Sequence, residues 1–266
     1  MTIFRLLRIA DAFTAANAAL GFLAITYISD GKYALAEVLI LLAVVADGVD
    51  GIVARRFGKG KPSLGDYLDI MADYLSFCVA PAILFYQLYY NVGSAPLLTR
   101  PEDILVGAAA GLFVGFGLLR LARHVAIGGP ESGRFAGLPT TGAGLFATLL
   151  IAVGGIGDLI TALVMIALAY LMVTEIPFPK VRGKLAALAG AVVLVAASAL
   201  AIFPANSDAL RLVLLVALGS ASAYASSGLM FTLLRIPLAA PHNDDATPDN
   251  PSSTPRADTQ EVDPDS

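Results

Sequence analysis

Tryptophan is absent from these 266 residues, cysteine occurs once, histidine twice, and only 14% of the chain is charged. The single Cys78 excludes an internal disulfide, and one Cys with two His has little to offer a soft metal. Without Trp, one of the usual interfacial anchors is missing, a role left to tyrosines such as Tyr27, Tyr33 and Tyr86 near the ends of apolar runs. The shortage of charge excludes an ordinary soluble domain. Hydrophobic residues make up 57% of the chain and the mean hydropathy is +0.77.

What is present is a series of apolar runs long enough to span a bilayer, over 11–29, 33–55, 66–90, 103–125, 139–154, 158–176, 186–203 and 209–234. They predict an all-α, polytopic membrane bundle of about eight transmembrane helices. The fifth and sixth are short, and the glycines at 154, 155 and 157 between them predict a break. Residues 1–10, with Arg5 and Arg8 spaced through apolar positions, read as a short interfacial helix and not as the leading region of a signal peptide. Residues 239–266 read as a disordered tail, since the stretch from 241 holds seven acids, one base and no aromatic residue. That tail sets the pI near 5.1, while the rest of the chain carries sixteen bases and fourteen acids. Fourteen of the seventeen Lys and Arg fall on one side of the eight-helix arrangement, which predicts a cell-membrane protein with both termini in the cytoplasm.

Against this background, two stretches stand out. Asp47-Gly-Val-Asp50-Gly51-Ile-Val-Ala54-Arg55 closes the second run, and Gly65-Asp-Tyr-Leu-Asp69-Ile-Met-Ala-Asp73 opens the third, at the same cytoplasmic face. One Asp at a helix centre in the bilayer costs roughly 2.5 to 3.5 kcal/mol even on the lowest scales, so four need a charged partner. Asp47 and Asp50 are three apart and Asp69 and Asp73 four apart, placing each pair within about 60° or 40° on its helix. Two converging carboxylate pairs suit hard divalent cations, Mg²⁺ or Mn²⁺, and the chemistry natural to two such ions is phosphoryl transfer. Carboxylates alone would also permit a cation transporter. The small residues and the arginine at fixed offsets argue against it, because a cation path has no need of them.

Written as D-x2-D-G-x2-A-R-x9-G-x3-D-x3-D, the stretch closely resembles the signature of the CDP-alcohol phosphotransferases, with nine residues where the family commonly has eight. The resemblance implies that Asp47, Asp50, Asp69 and Asp73 hold two Mg²⁺ or Mn²⁺ ions, with Asp73 a ligand or the general base. It implies that Gly51 and Ala54 let a CDP-lipid approach the helix, with Arg55 beside it. Asn17, in Thr14-x-x-Asn17-x-x-x-Gly21, matches a family asparagine expected to bond the diphosphate. The run Asp73-Tyr-Leu-Ser76-Phe77-Cys78-Val79-Ala80-Pro81-Ala82 is similar to that of the serine-using branch, with Cys78 in place of a Gly; so are Leu119-Arg120-Leu-Ala-Arg123 and Phe135-Ala-Gly137-Leu138-Pro139.

The implied reaction transfers a phosphatidyl-type group from CDP-diacylglycerol or CDP-archaeol to the hydroxyl of L-serine, releasing CMP. The same reaction on glycerol phosphate or inositol phosphate is the alternative. Arg120 and Arg123, with Arg134 in the following loop, are candidates for the serine carboxylate or a lipid phosphate. Residues 11–180 form the expected catalytic core, and 181–238 two additional helices. Membrane lipid is an expected partner and nucleic acid is not; a homodimer is implied by the resemblance alone.

Overall fold

The computed structural model describes residues 9–56, 64–90, 101–127, 134–181 and 183–234; of residues 9, 10, 52, 54–56, 64, 127, 134 and 231 it describes the backbone alone. The expected interfacial helix at 1–10 and the tail at 239–266 therefore lie essentially outside the described residues. The helices are α1 (Ile9–Ser29), α2 (Tyr33–Arg56), α3 (Leu64–Asp73), α4 (Ala80–Tyr89), α5 (Pro101–Ile127), α6 (Thr140–Val153), α7 (Asp158–Val173), α8 (Lys184–Ile202) and α9 (Asp208–Leu233). A π-helical segment, Tyr74–Val79, joins α3 to α4, so these form one continuous helix and the described residues hold eight in all.

Five helices are long and apolar enough to cross a membrane: α1, the α3–α4 helix, α5, α8 and α9. Two more, α6 and α7, are apolar but shorter. The eighth, α2, is 24 residues long and carries Glu37, Asp47 and Asp50 along its length. Gly154 and Gly155, at φ +63° and +70°, make the expected break between α6 and α7. Large apolar side chains face outward, Met71, Ile202 and Leu233 being 68%, 74% and 81% exposed. Such faces would be a liability in water and are what lipid requires. The core is built from small and aromatic side chains together, with Ala24, Ala36, Ala80, Phe85, Phe113 and Met165 fully buried.

Two local features position the site. The π segment begins directly after Asp73 and ends two residues before Pro81, whose missing N–H leaves the Phe77 carbonyl, four residues back, without its α-helical donor. Each buried residue of the segment meets a glycine from a different helix. A Cβ on Gly21 of α1 would strike Ser76, one on Gly117 of α5 would strike the Cys78 sulfur, and one on Gly144 of α6 would lie 2.6 Å from the Phe77 carbonyl oxygen. Three other helices, α1, α5 and α6, thus approach the segment closely, each through a glycine.

The second feature did not follow from hydropathy: a two-stranded antiparallel ribbon, β1 (Arg134–Ala136) with β2 (Pro177–Pro179), pairing Phe135 with Phe178. The sixth run, 158–176, consequently ends as a helix at Val173, not at 176. Arg123 grips the ribbon's end, donating to the carbonyl oxygens of Ala136 (2.6 Å), Val173 (3.0 Å), Thr174 (3.2 Å) and Met172 (3.4 Å).

Candidate active site

Helix α2 brings Asp47 and Asp50 to its C-terminal half, and α3 brings Asp69 and Asp73 across from them. One oxygen each from Asp47, Asp69 and Asp73 lies within 4.8 Å of the other two. The fourth carboxylate, Asp50, is outside this group of three and accepts a hydrogen bond from Thr14 of α1 on Oδ2 at 2.6 Å. Two further neutral donors orient the cluster. Thr141 of α6 donates to Asp47 Oδ2 at 3.1 Å, and Asn17 of α1 donates through Nδ2 to Asp73 Oδ1 at 3.1 Å. Asn17 is held in turn by Ser76, whose hydroxyl donates to the Asn17 carbonyl oxygen at 2.9 Å. Four helices therefore meet at one polar centre.

Asn17 is fully buried, and its Oδ1 has no hydrogen-bond partner among the described residues. An unsatisfied buried acceptor costs about 1–3 kcal/mol. The orphaned oxygen, beside Asp73, calls for a cation or a donor from a bound group. The diphosphate of a nucleotide supplies neither, so that contact would have to use the second Nδ2 hydrogen.

The two arginines of Leu119-Arg120-Leu-Ala-Arg123 diverge. Arg120 is buried, donates to Thr140 Oγ1 at 3.2 Å, and carries its guanidinium 5.8 Å from the Phe135 ring centroid. It faces Asp47 and Asp73 electrostatically, yet none of the described carboxylates comes within ion-pair distance of it. Arg123, by contrast, spends its donors on the four backbone carbonyls around the ribbon. It holds structure instead of facing the cluster. Gly51 lies half-buried on α2 next to Asp50. The side chains of Ala54, Arg55 and Arg134 lie outside the described residues.

A profile of CDP-alcohol phosphatidyltransferases matches residues 7–221, from the first helix into α9. The chain belongs to the CDP-alcohol phosphatidyltransferase family. Among curated relatives it is similar to the archaetidylserine synthase of Methanothermobacter thermautotrophicus, 38% identical over 175 residues that cover 65% of this chain and 70% of that protein. It is also similar to the CDP-diacylglycerol–serine O-phosphatidyltransferase of Methanocaldococcus jannaschii, 32% identical over 69% of this chain and 80% of that one. The Helicobacter pylori enzyme of the same name is 30% identical, but the match covers only 56% of its length and 53% of this chain. Membership of this transferase family sets the transporter alternative aside.

In a CDP-alcohol phosphatidyltransferase the carboxylates must suit a divalent ion, and here they do. Oxygens about 2.1 Å from Mg²⁺ lie about 3 to 4 Å from one another. One oxygen each from Asp47, Asp69 and Asp73 lies within 4.8 Å of the others, close enough to offer three hard oxygen ligands to one such ion. The orphaned Asn17 oxygen beside them is consistent with the same requirement.

Several participants lay outside the signature. Thr140 and Thr141 follow the Phe135–Pro139 run directly, so two adjacent hydroxyls at a helix start were the available signal. Asp11, buried on α1, is three and six residues before Thr14 and Asn17 and shares their face; its carboxylate is the group a Cβ on Gly65 would strike. Ser76 was legible only as part of a run, without its role as support for Asn17.

Proposed function

We propose that this protein transfers a phosphatidyl-type group from a CDP-activated lipid, CDP-diacylglycerol or CDP-archaeol, to the hydroxyl of L-serine, with release of CMP. The observation that carries this reading is the cluster of Asp47, Asp69 and Asp73 with Arg120 facing it across a gap wider than an ion pair. The gap suits a zwitterionic acceptor, whose carboxylate would meet Arg120 while its hydroxyl meets Asp73. The serine-using relatives in two archaea favour the same acceptor.

Asp73 takes the proton of the serine hydroxyl through the oxygen that Asn17 leaves available. The serine oxygen then forms its bond to the lipid-side phosphorus as the bond from that phosphorus to the CMP oxygen breaks, and CMP departs. Asn17 fixes the orientation of Asp73, and Thr141 and Thr14 fix those of Asp47 and Asp50, so that little reorganisation accompanies the reaction. Two Mg²⁺ or Mn²⁺ ions, held by Asp47, Asp50, Asp69 and Asp73, would neutralise the diphosphate and the leaving CMP. Gly51 and Ala54 give the CDP group access to α2, with Arg55 alongside. On this reading all eight helices cross the membrane, the carboxylates lie at the cytoplasmic face, and residues 11–180 supply every group that touches substrate.

The test is CMP release by the purified protein given Mg²⁺ or Mn²⁺, CDP-diacylglycerol or CDP-archaeol, and one alcohol at a time. Serine should support turnover, and glycerol phosphate and inositol phosphate should not. Turnover with either of those alone would overturn the acceptor assignment and leave the reaction class intact.

A further inference from the structure

Helix α9 lies far from the carboxylate motif in sequence, yet it packs on the ribbon beside Arg120. Tyr224 donates through its hydroxyl to the Pro179 carbonyl oxygen at 3.2 Å, and its ring centroid lies 6.1 Å from that of Phe178. One turn further along, Gly228 meets the same Phe178 ring so closely that a Cβ there would sit 2.7 Å from it. On its other side the Tyr224 ring lies against α6, where a Cβ on Gly142 would come within 3.3 Å of Cε1. Tyr224 is therefore wedged between α6 and the ribbon with its hydroxyl committed to β2.

The ribbon passes this placement on. Phe178 pairs in register with Phe135, and Phe135 is the ring beside which the Arg120 guanidinium rests. Lys180 reaches the same ring, 4.9 Å from its centroid. Tyr224 is also an electrostatic neighbour of Arg120 itself. Arg120 is thus fixed from α6 by Thr140 and from the ribbon by Phe135, and the ribbon is fixed from α5 by Arg123 and from α9 by Tyr224.

We propose that Tyr224 is a positioning residue for Arg120, so that α9 completes the half of the site that receives the acceptor's carboxylate. This rests on the assignment of Arg120 to that carboxylate. The carboxylate half is built by α1, α2, α3 and α6, and Tyr224 touches none of its four aspartates. Its loss should therefore separate the two substrates: the acceptor is held less well, and the CDP-lipid is held as before.

The experiment is steady-state kinetics of the full chain in detergent, with serine and CDP-lipid varied in turn, for wild type, Tyr224→Phe, Gly142→Ala, Arg120→Lys and the Arg120→Lys/Tyr224→Phe double variant. Tyr224→Phe keeps the ring and removes one neutral hydrogen bond, so the KM for serine should rise about fivefold. Its kcat, its KM for CDP-lipid and its melting temperature should stay near wild type. Gly142→Ala displaces the ring by a different route and should give the same split. In the Arg120→Lys background the Tyr224→Phe effect should vanish, because the residue it positions is already gone. An unchanged serine KM in Tyr224→Phe, or an equal effect in both backgrounds, overturns the inference while a raised KM in Arg120→Lys leaves the site assignment standing. A wild-type serine KM in Arg120→Lys removes the assignment of Arg120 and the inference with it.

Discussion

At the scale of single residues, the site is governed by neutral donors that hold acids in place. Asp73→Asn keeps the shape and the Asn17 contact region while removing the proton acceptor, and general-base loss is typically about 10²–10⁴-fold. CMP release should fall by that order, with the melting temperature unchanged; near-normal turnover would remove Asp73 from the role. Asn17→Ala should behave differently. It forfeits the bond to Asp73 but also removes the orphaned buried Oδ1, and the two effects, each about 1 kcal/mol or somewhat more, oppose one another in the stability of the empty protein. The expected outcome is about tenfold slower turnover with a melting temperature equal to or above that of wild type. Clear destabilisation would show that the oxygen has a partner the hydrogen-bond geometry does not reveal.

At the scale of elements, the π segment makes a prediction about volume. Gly117→Ala drives a methyl into Cys78, and overpacking of this kind costs typically 1–3 kcal/mol. Cys78→Gly in the same chain returns the space, so the double variant should be more stable toward thermal unfolding in detergent than Gly117→Ala alone. The helices themselves were legible: each of the eight hydrophobic runs became a helix, with ends within three residues of the expected positions. Hydropathy reads burial along a run and is blind to what happens within it. The π segment leaves no mark on the apolar pattern of 66–90, and Pro81 was its one local sign. The ribbon escaped for another reason. Its strands are three residues each and join positions more than forty apart, and pairing of that kind has no periodicity to detect. Of the candidate site, the spacing of the aspartates was readable because helical geometry is fixed by sequence separation. The division of labour between Arg120 and Arg123 was not, because three residues on one helix say nothing about which carbonyls wait at the next turn.

At the scale of the whole molecule, the asymmetry of basic residues implies an orientation that labelling can check. Cys78 is buried, so the wild-type chain is a quiet background for cysteines introduced elsewhere. In intact cells an impermeant maleimide should modify Lys32→Cys, in the connection after α1, and should reach Lys184→Cys, at the start of α8, only after permeabilisation. Labelling in the reverse order would invert the topology and place the aspartates on the outer face. Removing divalent ions with a chelator should abolish CMP release, and added Mn²⁺ or Mg²⁺ should restore it. The helix that carries Asp69 and Asp73 also carries much of the hydrophobic core, and the π segment lies between these two halves. A π turn is an α-helix with one residue too many. Were the segment to rewind as regular α-helix with all of its residues kept, everything beyond it would turn by about 100°. Leu84 and Phe85 would then lose their present places in the core while the aspartates kept theirs. The π turn absorbs that residue, so the catalytic end and the packing end of one helix each keep the face they need.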